Sequence, residues 1–385
     1  MNNFGLNFTP PLSLYIHIPW CIKKCPYCDF NSHAVKDGIP EKAYIERLIQ
    51  DLDNDLPLIN KRLIHSIFIG GGTPSLFSAS GFETLLSAIN QRLSYSSNIE
   101  ITLEANPGTA ERGQFTDFRR AGINRLSLGV QSFHDQQLQA LGRIHGGDEA
   151  YHAIEMAQKA GFKRLNIDLM HGLPGQTQQQ ALQDLTIAQS LQPTHISWYQ
   201  LTLEPNTLFA KYPPQLPHED ERWAIQQRGH QYLLNEGWEQ YETSAYCHTQ
   251  NYCQHNLNYW QFGDYLGIGA GAHGKITDLK QQQILRTVKY KQPERYLSET
   301  NNWRSCATYV PSGELPFEFM LNALRLTHGV PKHLFSKRTG LPIDRIKQSL
   351  KLAEQQGLLV NSNDKLQTTQ LGQRFLNNCL TLFMT

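Results

Sequence analysis

Three cysteines, Cys21, Cys25 and Cys28, fall within eight residues of the stretch Tyr15-Ile-His-Ile-Pro-Trp-Cys21-Ile-Lys-Lys-Cys25-Pro-Tyr-Cys28. Thiolates at spacings of four and three on one short loop can wrap one face of a compact inorganic object, and Pro26 helps to turn them inward. A cubane iron–sulfur cluster needs ligands of this kind. Three protein ligands leave one iron open, and an open coordination site is where substrate chemistry can occur. The spacing leaves two other readings open. One is a zinc site with His17 or His33 as fourth ligand; the other is three ordinary buried cysteines. The remaining four of the seven cysteines are scattered, so no disulfide framework is indicated and a cytoplasmic, reducing setting is expected.

A second group is Cys253-Gln-His255-Asn256-Leu-Asn-Tyr259-Trp260. Imidazole and thiolate are the usual axial ligands of heme iron, and two aromatics can cover a porphyrin face. Residue chemistry alone favours the plainer reading, a histidine capping a loop beside two core aromatics. The run Gly269-Ala-Gly271-Ala-His-Gly274 fits G-x-G-x-x-G, but DYLGI before it is a poor strand and KITDLKQQQ after it offers no clear helix start. A dinucleotide site is therefore not expected.

The elements that would carry these groups alternate. Strands are expected at 12–18, 65–69, 99–103, 125–130, 164–170 and 195–201, with helices at 41–56, 79–93, 111–121, 148–160 and 177–191 between them. Gly122 and Gly161 sit where helix C-caps belong. Six β–α units in series imply a parallel α/β sheet with helices outside it. Periodicity does not choose between an open sheet and an incomplete barrel. Residues 213–315 are rich in Pro, Gly, Tyr and Trp and read as loops and short strands beside the sheet. From Pro316 a helix, a short helix, a helix and a hairpin suggest a winged helix. The expected division is 1–212, 213–315 and 316–385.

Composition excludes several classes. Lys plus Arg total 35 and Asp plus Glu 34, a net charge of +1, so bulk attraction to nucleic acid or anionic lipid is not expected. Residues 316–385 hold nine basic and four acidic side chains, too small and dispersed an excess to expect DNA binding. No apolar run approaches the ~20 residues of a membrane helix, and MNNFGLNFTPPLS does not read as a signal peptide.

CxxxCxxC with an aromatic before its last cysteine resembles the radical S-adenosylmethionine (SAM) superfamily. YIHIPWC…CPYCDF followed by GGGTPS resembles the oxygen-independent coproporphyrinogen III oxidase family, and within it the HemW branch of heme chaperones, over most of the chain. The resemblance implies a partial (β/α)6 barrel with a winged-helix-like C-terminal domain. Cys21, Cys25 and Cys28 would hold a [4Fe–4S] cluster whose fourth iron is chelated by SAM. Tyr15, Tyr27, Gly71, Gly72, Thr73, Glu104, Gln131, Arg143 and Asp168 match positions lining the SAM site. The glycines would let backbone approach the methionine moiety, Glu104 and Asp168 would accept from ammonium or ribose hydroxyls, and Arg143 would grip a carboxylate.

The motif HNxxYW is typical of the HemW branch, and with it His255 becomes the first choice as heme ligand and Cys253 the second. Heme, heme-accepting proteins and an electron donor for the cluster are the implied partners. Two departures from the coproporphyrinogen oxidases argue against their decarboxylation chemistry. Phe30 stands where they carry a further cysteine, and only about a dozen residues precede the first strand.

Overall fold

Alternate residues of the first strands differ in character: Ser13, Tyr15 and His17 interleave with Leu12, Leu14, Ile16 and Ile18. In a strand this places two chemistries on two faces. The structure, a computed structural model, describes residues 5–108, 114–248 and 250–384. Six parallel strands follow one another in sheet order: β1 (Leu12–Ile18), β2 (Ile64–Gly71), β3 (Tyr95–Ala105), β4 (Arg125–Gln131), β5 (Arg164–His171) and β6 (His195–Gln200). The crossovers carry α1 (Glu41–Asp55), α2 (Ala79–Arg92), α3 (Phe115–Arg120), α4 (Gly147–Lys159) and α5 (Gln178–Ser190). This is the expected partial barrel. The part of the 111–121 helix that falls on 111–113 lies outside the described residues.

The apolar set of each strand packs outward in one continuous core. Leu14, Ile67, Leu103, Leu128, Ile167 and Ile196 meet helix residues such as Tyr44, Leu85, Ile154 and Leu185 there. The alternate positions form an inner face that is largely polar and still buried: Ser13, Ser66, Glu100, Arg125, Ser127, Asn166 and His195. Strand register stacks them in tiers. Ser13 lies opposite Ser66 and Ser66 opposite Glu100; nearer the carboxyl ends, Ser127 lies opposite Asn166 and Gly129 opposite Asp168.

Residues 213–315 depart from the expectation of loops and short strands beside the sheet. They extend the sheet itself, at both ends. β8 (Ala245–Cys247) adds antiparallel to β6 and β7 (Glu239–Glu242) antiparallel to β8, while β9 (Asp264–Ile268) joins β1 in parallel and leads into β10 (His273–Asp278), β11 (Gln283–Lys289) and β12 (Arg304–Tyr309). DYLGI is thus an interior strand. Its Gly267 is required because a Cβ there would stand 2.0 Å from the His273 carbonyl oxygen.

The region also holds a helix of 17 residues, α6 (Glu219–Asn235), packed on α5. Only Ile225, Gly229 and Leu233 of α6 are buried, so its apolar stripe is too thin to announce a helix. Gly229 admits the Trp198 ring, which a Cβ would meet at 2.0 Å.

A short helix, α7 (Gln254–Trp260), packs against β1, β2 and β9. The C-terminal region supplies α8 (Leu315–Ala323), α9 (His333–Thr339) and α10 (Lys347–Gln355), with Val330–Pro331 paired to Lys365–Leu366. That order matches the expected winged-helix-like arrangement. Its core, including Phe319, Phe335 and Leu350, is continuous with Tyr241 and Cys247 of the sheet edge. Among the described residues no helix is long and apolar enough to cross a membrane.

Candidate cluster and cofactor site

Where β1 ends, Trp20–Cys21 pairs in parallel with His33–Ala34 and closes residues 22–32 into a loop. The Cys28 N–H donates to the Cys25 carbonyl at 3.2 Å, which makes the turn over Pro26. Lys24 Nζ ties the loop across itself, donating to the carbonyls of Phe30 at 3.2 Å and Ser32 at 3.3 Å. Cys21 is buried and Cys25 and Cys28 are half-buried. Burial, then the charges of Cys28 and Cys25, push the Cys21 thiol up to about 11. Thiols that resist ionising beside one another are relieved by bound cations.

The zinc alternative meets an obstacle. Burial lowers His17 to about 4, so its ring is neutral. Nε2 donates to the Asn31 carbonyl at 2.8 Å and Nδ1 accepts from the Tyr15 hydroxyl at 2.9 Å. Both nitrogens are in use. His33 Nε2 pairs with Asn31 Oδ1 at 3.2 Å.

Gly71 ends β2 and Gly72 follows it, and close packing within the chain already accounts for their lack of a side chain. A Cβ on Gly71, at φ +121°, would stand 2.6 Å from the His17 ring, and one on Gly72 would stand 2.4 Å from the Trp20 carbonyl oxygen. The loop is bound to the end of β1, with Gly72 N–H donating to the Ile18 carbonyl and Thr73 N–H to the Trp20 carbonyl, both at 2.7 Å. Thr73 Oγ1 accepts from Asn106 Nδ2 at 3.0 Å.

Glu104, Gln131 and Asp168 stand toward the carboxyl ends of β3, β4 and β5. The Gly71 N–H donates to Glu104 Oε2 at 3.1 Å. Burial first, and the Asp168 charge second, raise Glu104 to about 7. Asp168 is also raised by burial, although Asn166 donates to it at 2.7 Å and Ser127 at 3.1 Å. Gln131 ends β4 with φ +70°, a conformation costly for a residue with a Cβ, and accepts from the Tyr199 hydroxyl at 2.9 Å. Arg143 donates to Asn106 Oδ1 at 2.6 Å, to the Gly129 carbonyl at 2.7 Å and to Cys25 Sγ at 3.7 Å, and its buried Nε has no partner among the described residues. Tyr15 projects inward beside Phe68, ring centroids 6.3 Å apart, and Tyr27 packs beside Phe209 at 6.3 Å.

His255 enters from the other end, its ring centroid 6.4 Å from that of Tyr15 and 5.1 Å from that of Phe68. Helix α7 plugs the opposite end of the inner face, where the strands begin. The His255 ring is buried, with Nδ1 3.0 Å from Ser66 Oγ and Nε2 2.8 Å from the Tyr259 hydroxyl. Burial, then the Arg125 charge, lowers it to about 3. Cys253 is likewise buried, its Sγ 3.7 Å from Glu100 Oε1. Both ring nitrogens of His255, the expected first-choice heme ligand, thus face interior partners, and the motif closes the barrel floor. Asn258 completes the plug through Ser13 Oγ at 2.9 Å and the Asp264 carbonyl at 2.7 Å.

Comparison with known proteins places this geometry. The radical SAM superfamily matches residues 15–186, and the HemN C-terminal domain family matches residues 310–375. The heme chaperone HemW of Haemophilus influenzae is 53% identical over 98% of this chain and 98% of its own length. The chain belongs to the HemW family. The Escherichia coli HemW is 50% identical over 97% of this chain and 98% of its own. Among solved structures, the coproporphyrinogen III oxidase HemN of Escherichia coli, a radical SAM enzyme, shares the fold. Its TM-score is 0.82 at 22% identity, covering 98% of this chain and 91% of that one.

The donor set of this HemW family member suits the groups its superfamily uses. Glu104 and Asp168 are carboxylates forced together with no cation salt-bridged to either among the described residues, so a sulfonium or ammonium group would relieve them. The orphaned Arg143 Nε suits a carboxylate. SAM carries all three charges. The residues missed from the sequence, Ser127, Asn166, Ser197 and Tyr199, are the inner-face neighbours of Asp168 and Gln131. A period of two in polar residues, as in Arg125-Leu-Ser127-Leu-Gly129-Val-Gln131, was the available signal.

Proposed function

We propose that the chain is a heme chaperone, which binds heme, carries a [4Fe–4S] cluster and SAM, and passes heme to acceptor proteins. The observation that carries this reading is the 53% identity, over 98% of both chains, with a protein named as such a chaperone. Cys21, Cys25 and Cys28 would hold the cluster. Tyr15, Tyr27, Gly71, Gly72, Thr73, Glu104, Gln131, Arg143 and Asp168 would form the SAM site. A bound cluster and SAM supply an electron and a cleavable sulfonium. The chain's own part is to bind and orient. Glu104 and Asp168 offset the positive groups, Arg143 grips the carboxylate, and the tiers below keep water out.

The division into 1–212, 213–315 and 316–385 and a cytoplasmic setting complete the proposal, with an electron donor as further partner. The second reading, oxygen-independent coproporphyrinogen III dehydrogenase, rests on the shared fold. Phe30 in place of a further cysteine speaks against it. The test is anaerobic incubation of reconstituted protein with heme, or with coproporphyrinogen III, SAM and a reductant. Heme binding and transfer without decarboxylation is expected; decarboxylation at enzymatic turnover would reject the chaperone assignment.

A further inference from the structure

Gln131 is set by more than the end of its strand. Gly129 lies opposite Asp168 and Gln131 opposite Leu169, so two steps along β4 match one along β5, and Val130 is the extra residue of a bulge. Bulges beside active sites bend a strand and re-aim a side chain. Gln131 completes this one at φ +70°, a conformation that a residue with a Cβ keeps only where its surroundings over-determine it.

They do so on both flanks. His145 is buried, and burial, then the Arg143 charge, lowers its ring to about 4. The neutral ring donates its Nε2–H to the Val130 carbonyl at 3.1 Å. On the other side Asp184 of α5, also buried, accepts from Ser132 Oγ at 2.9 Å and from the Phe133 N–H at 2.7 Å. With the backbone clamped, the side chain keeps one freedom, the two-fold turn of its amide. The Tyr199 hydroxyl donates to Oε1 at 2.9 Å, while Nε2 has no partner among the described residues. Nε2 lies over Gly129, where a Cβ would stand 3.1 Å from it and 3.5 Å from Arg143 Nη2. Two donor groups thus meet over one glycine.

We infer that Tyr199 is a positioning residue for SAM: its hydroxyl holds the Gln131 amide so that Nε2, the donor end, faces an oxygen of the bound molecule beside Arg143. The inference rests on the SAM reading above. An amide has one acceptor end and one donor end. Turned over, it would set Oε1 against the ligand oxygen, acceptor to acceptor, and would leave the Tyr199 hydroxyl facing a donor. The bulge places Gln131, and the hydroxyl chooses which end of it the ligand meets. Tyr199 therefore acts through Gln131 and not on the ligand itself.

The test is equilibrium dialysis of SAM against the anaerobically reconstituted full chain, in the native sequence and in Tyr199→Phe, Gln131→Ala, the two combined, and Gln131→Glu. Iron content and melting temperature establish that each variant keeps the cluster and the fold. Tyr199→Phe removes one hydrogen bond and should weaken SAM by about two- to ten-fold. Added to Gln131→Ala it should weaken SAM no further, because the group it acts through is already gone. Gln131→Glu leaves Tyr199 an acceptor but puts a second acceptor in place of Nε2, so it should weaken SAM at least as much as Gln131→Ala. Losses that add in the combined variant would overturn the inference, since Tyr199 would then act on SAM directly or through the fold at large. Native affinity in Tyr199→Phe or in Gln131→Glu would overturn it as well, while leaving the SAM reading intact. A native chain that carries its cluster and binds no SAM would reject the reading on which the inference rests.

Discussion

Asn31 donates its side-chain amide to the backbone carbonyls of Ala270 and Lys291, each at 2.9 Å, and so fastens the cysteine loop to segments more than 230 residues later. The Gly269–Gly271 run exists for this contact. A Cβ on Gly271 would stand 2.3 Å from the Asn31 side chain, and one on Gly269 would stand 2.3 Å from the His17 carbonyl oxygen. Close backbone approach, not a dinucleotide, explains those glycines. Asn31→Ala removes two hydrogen bonds, together about 1–3 kcal/mol. It should leave the fold intact but speed loss of iron to a chelator by about five- to a hundred-fold. Unchanged kinetics would show that the cluster does not depend on the latch.

The glycine segment is itself held from α1. Gly269 N–H donates to Asp51 Oδ2 at 3.2 Å, Ala270 N–H to the Tyr44 hydroxyl at 2.7 Å, and Tyr296 donates to Asp51 at 2.7 Å. Lys289, fully buried, pairs with Asp51 and with Asp55. Lys289→Met leaves the buried Asp51 without its cation, while Asp55 keeps Arg304, and should cost about 3–5 kcal/mol. Adding Asp51→Asn should recover part of that loss in thermal melts. Absence of any recovery would mean that Asp51 is not the group stabilised by Lys289.

Binding of SAM should depend on pH through Glu104. Its folded pKa is about 7, above the ordinary 4.5. A cationic ligand prefers the ionised carboxylate, so affinity should rise as pH passes through 7, by up to about ten-fold between about pH 6 and about pH 8. Asp168, also raised, acts in the same direction. Without ligand the sign for folding is opposite. A raised pKa contributes stability that is full below about 4.5 and is lost as pH rises through about 7. Glu104→Gln should bind SAM weakly and flatly over that window. Equilibrium dialysis measures it, and a flat native profile would contradict the assignment.

His255→Ala separates the plug from a ligand. The change takes the partner from the Tyr259 hydroxyl, leaves Ser66 with Ser13 alone and empties part of the barrel floor, so a loss of about 2–4 kcal/mol is expected in denaturant melts. The spectrum of bound heme should not change. A heme spectrum shifted in a variant that retains the native fold would make His255 the iron ligand.

Much of this was legible before any coordinates. Strand-end residues Glu104, Gln131 and Asp168 converge because parallel strands share one carboxyl end, a consequence of topology and not of any one side chain. Element positions followed from periodicity, which the outer apolar set of β1 to β6 obeys. What stayed hidden had physical causes. Helix α6 buries too few residues to show a stripe. Strand β9 carries Gly267 against His273 and runs into Gly269 against His17, contacts that no hydropathy pattern shows. The burial of His255 depends on which end of the barrel α7 enters, and no local pattern encodes that.

The central claim is that Cys21, Cys25 and Cys28 hold a four-iron cluster with one iron left for SAM. The most direct measurement is iron and sulfide content, with electron paramagnetic resonance, on anaerobically reconstituted native chain and on single Cys→Ala variants, before and after SAM. The account predicts about four irons per native chain, a signal that shifts with SAM, and loss of the cluster in each variant with the protein still folded. A native chain that takes up no iron or sulfide, or a cluster whose signal ignores SAM, would contradict it.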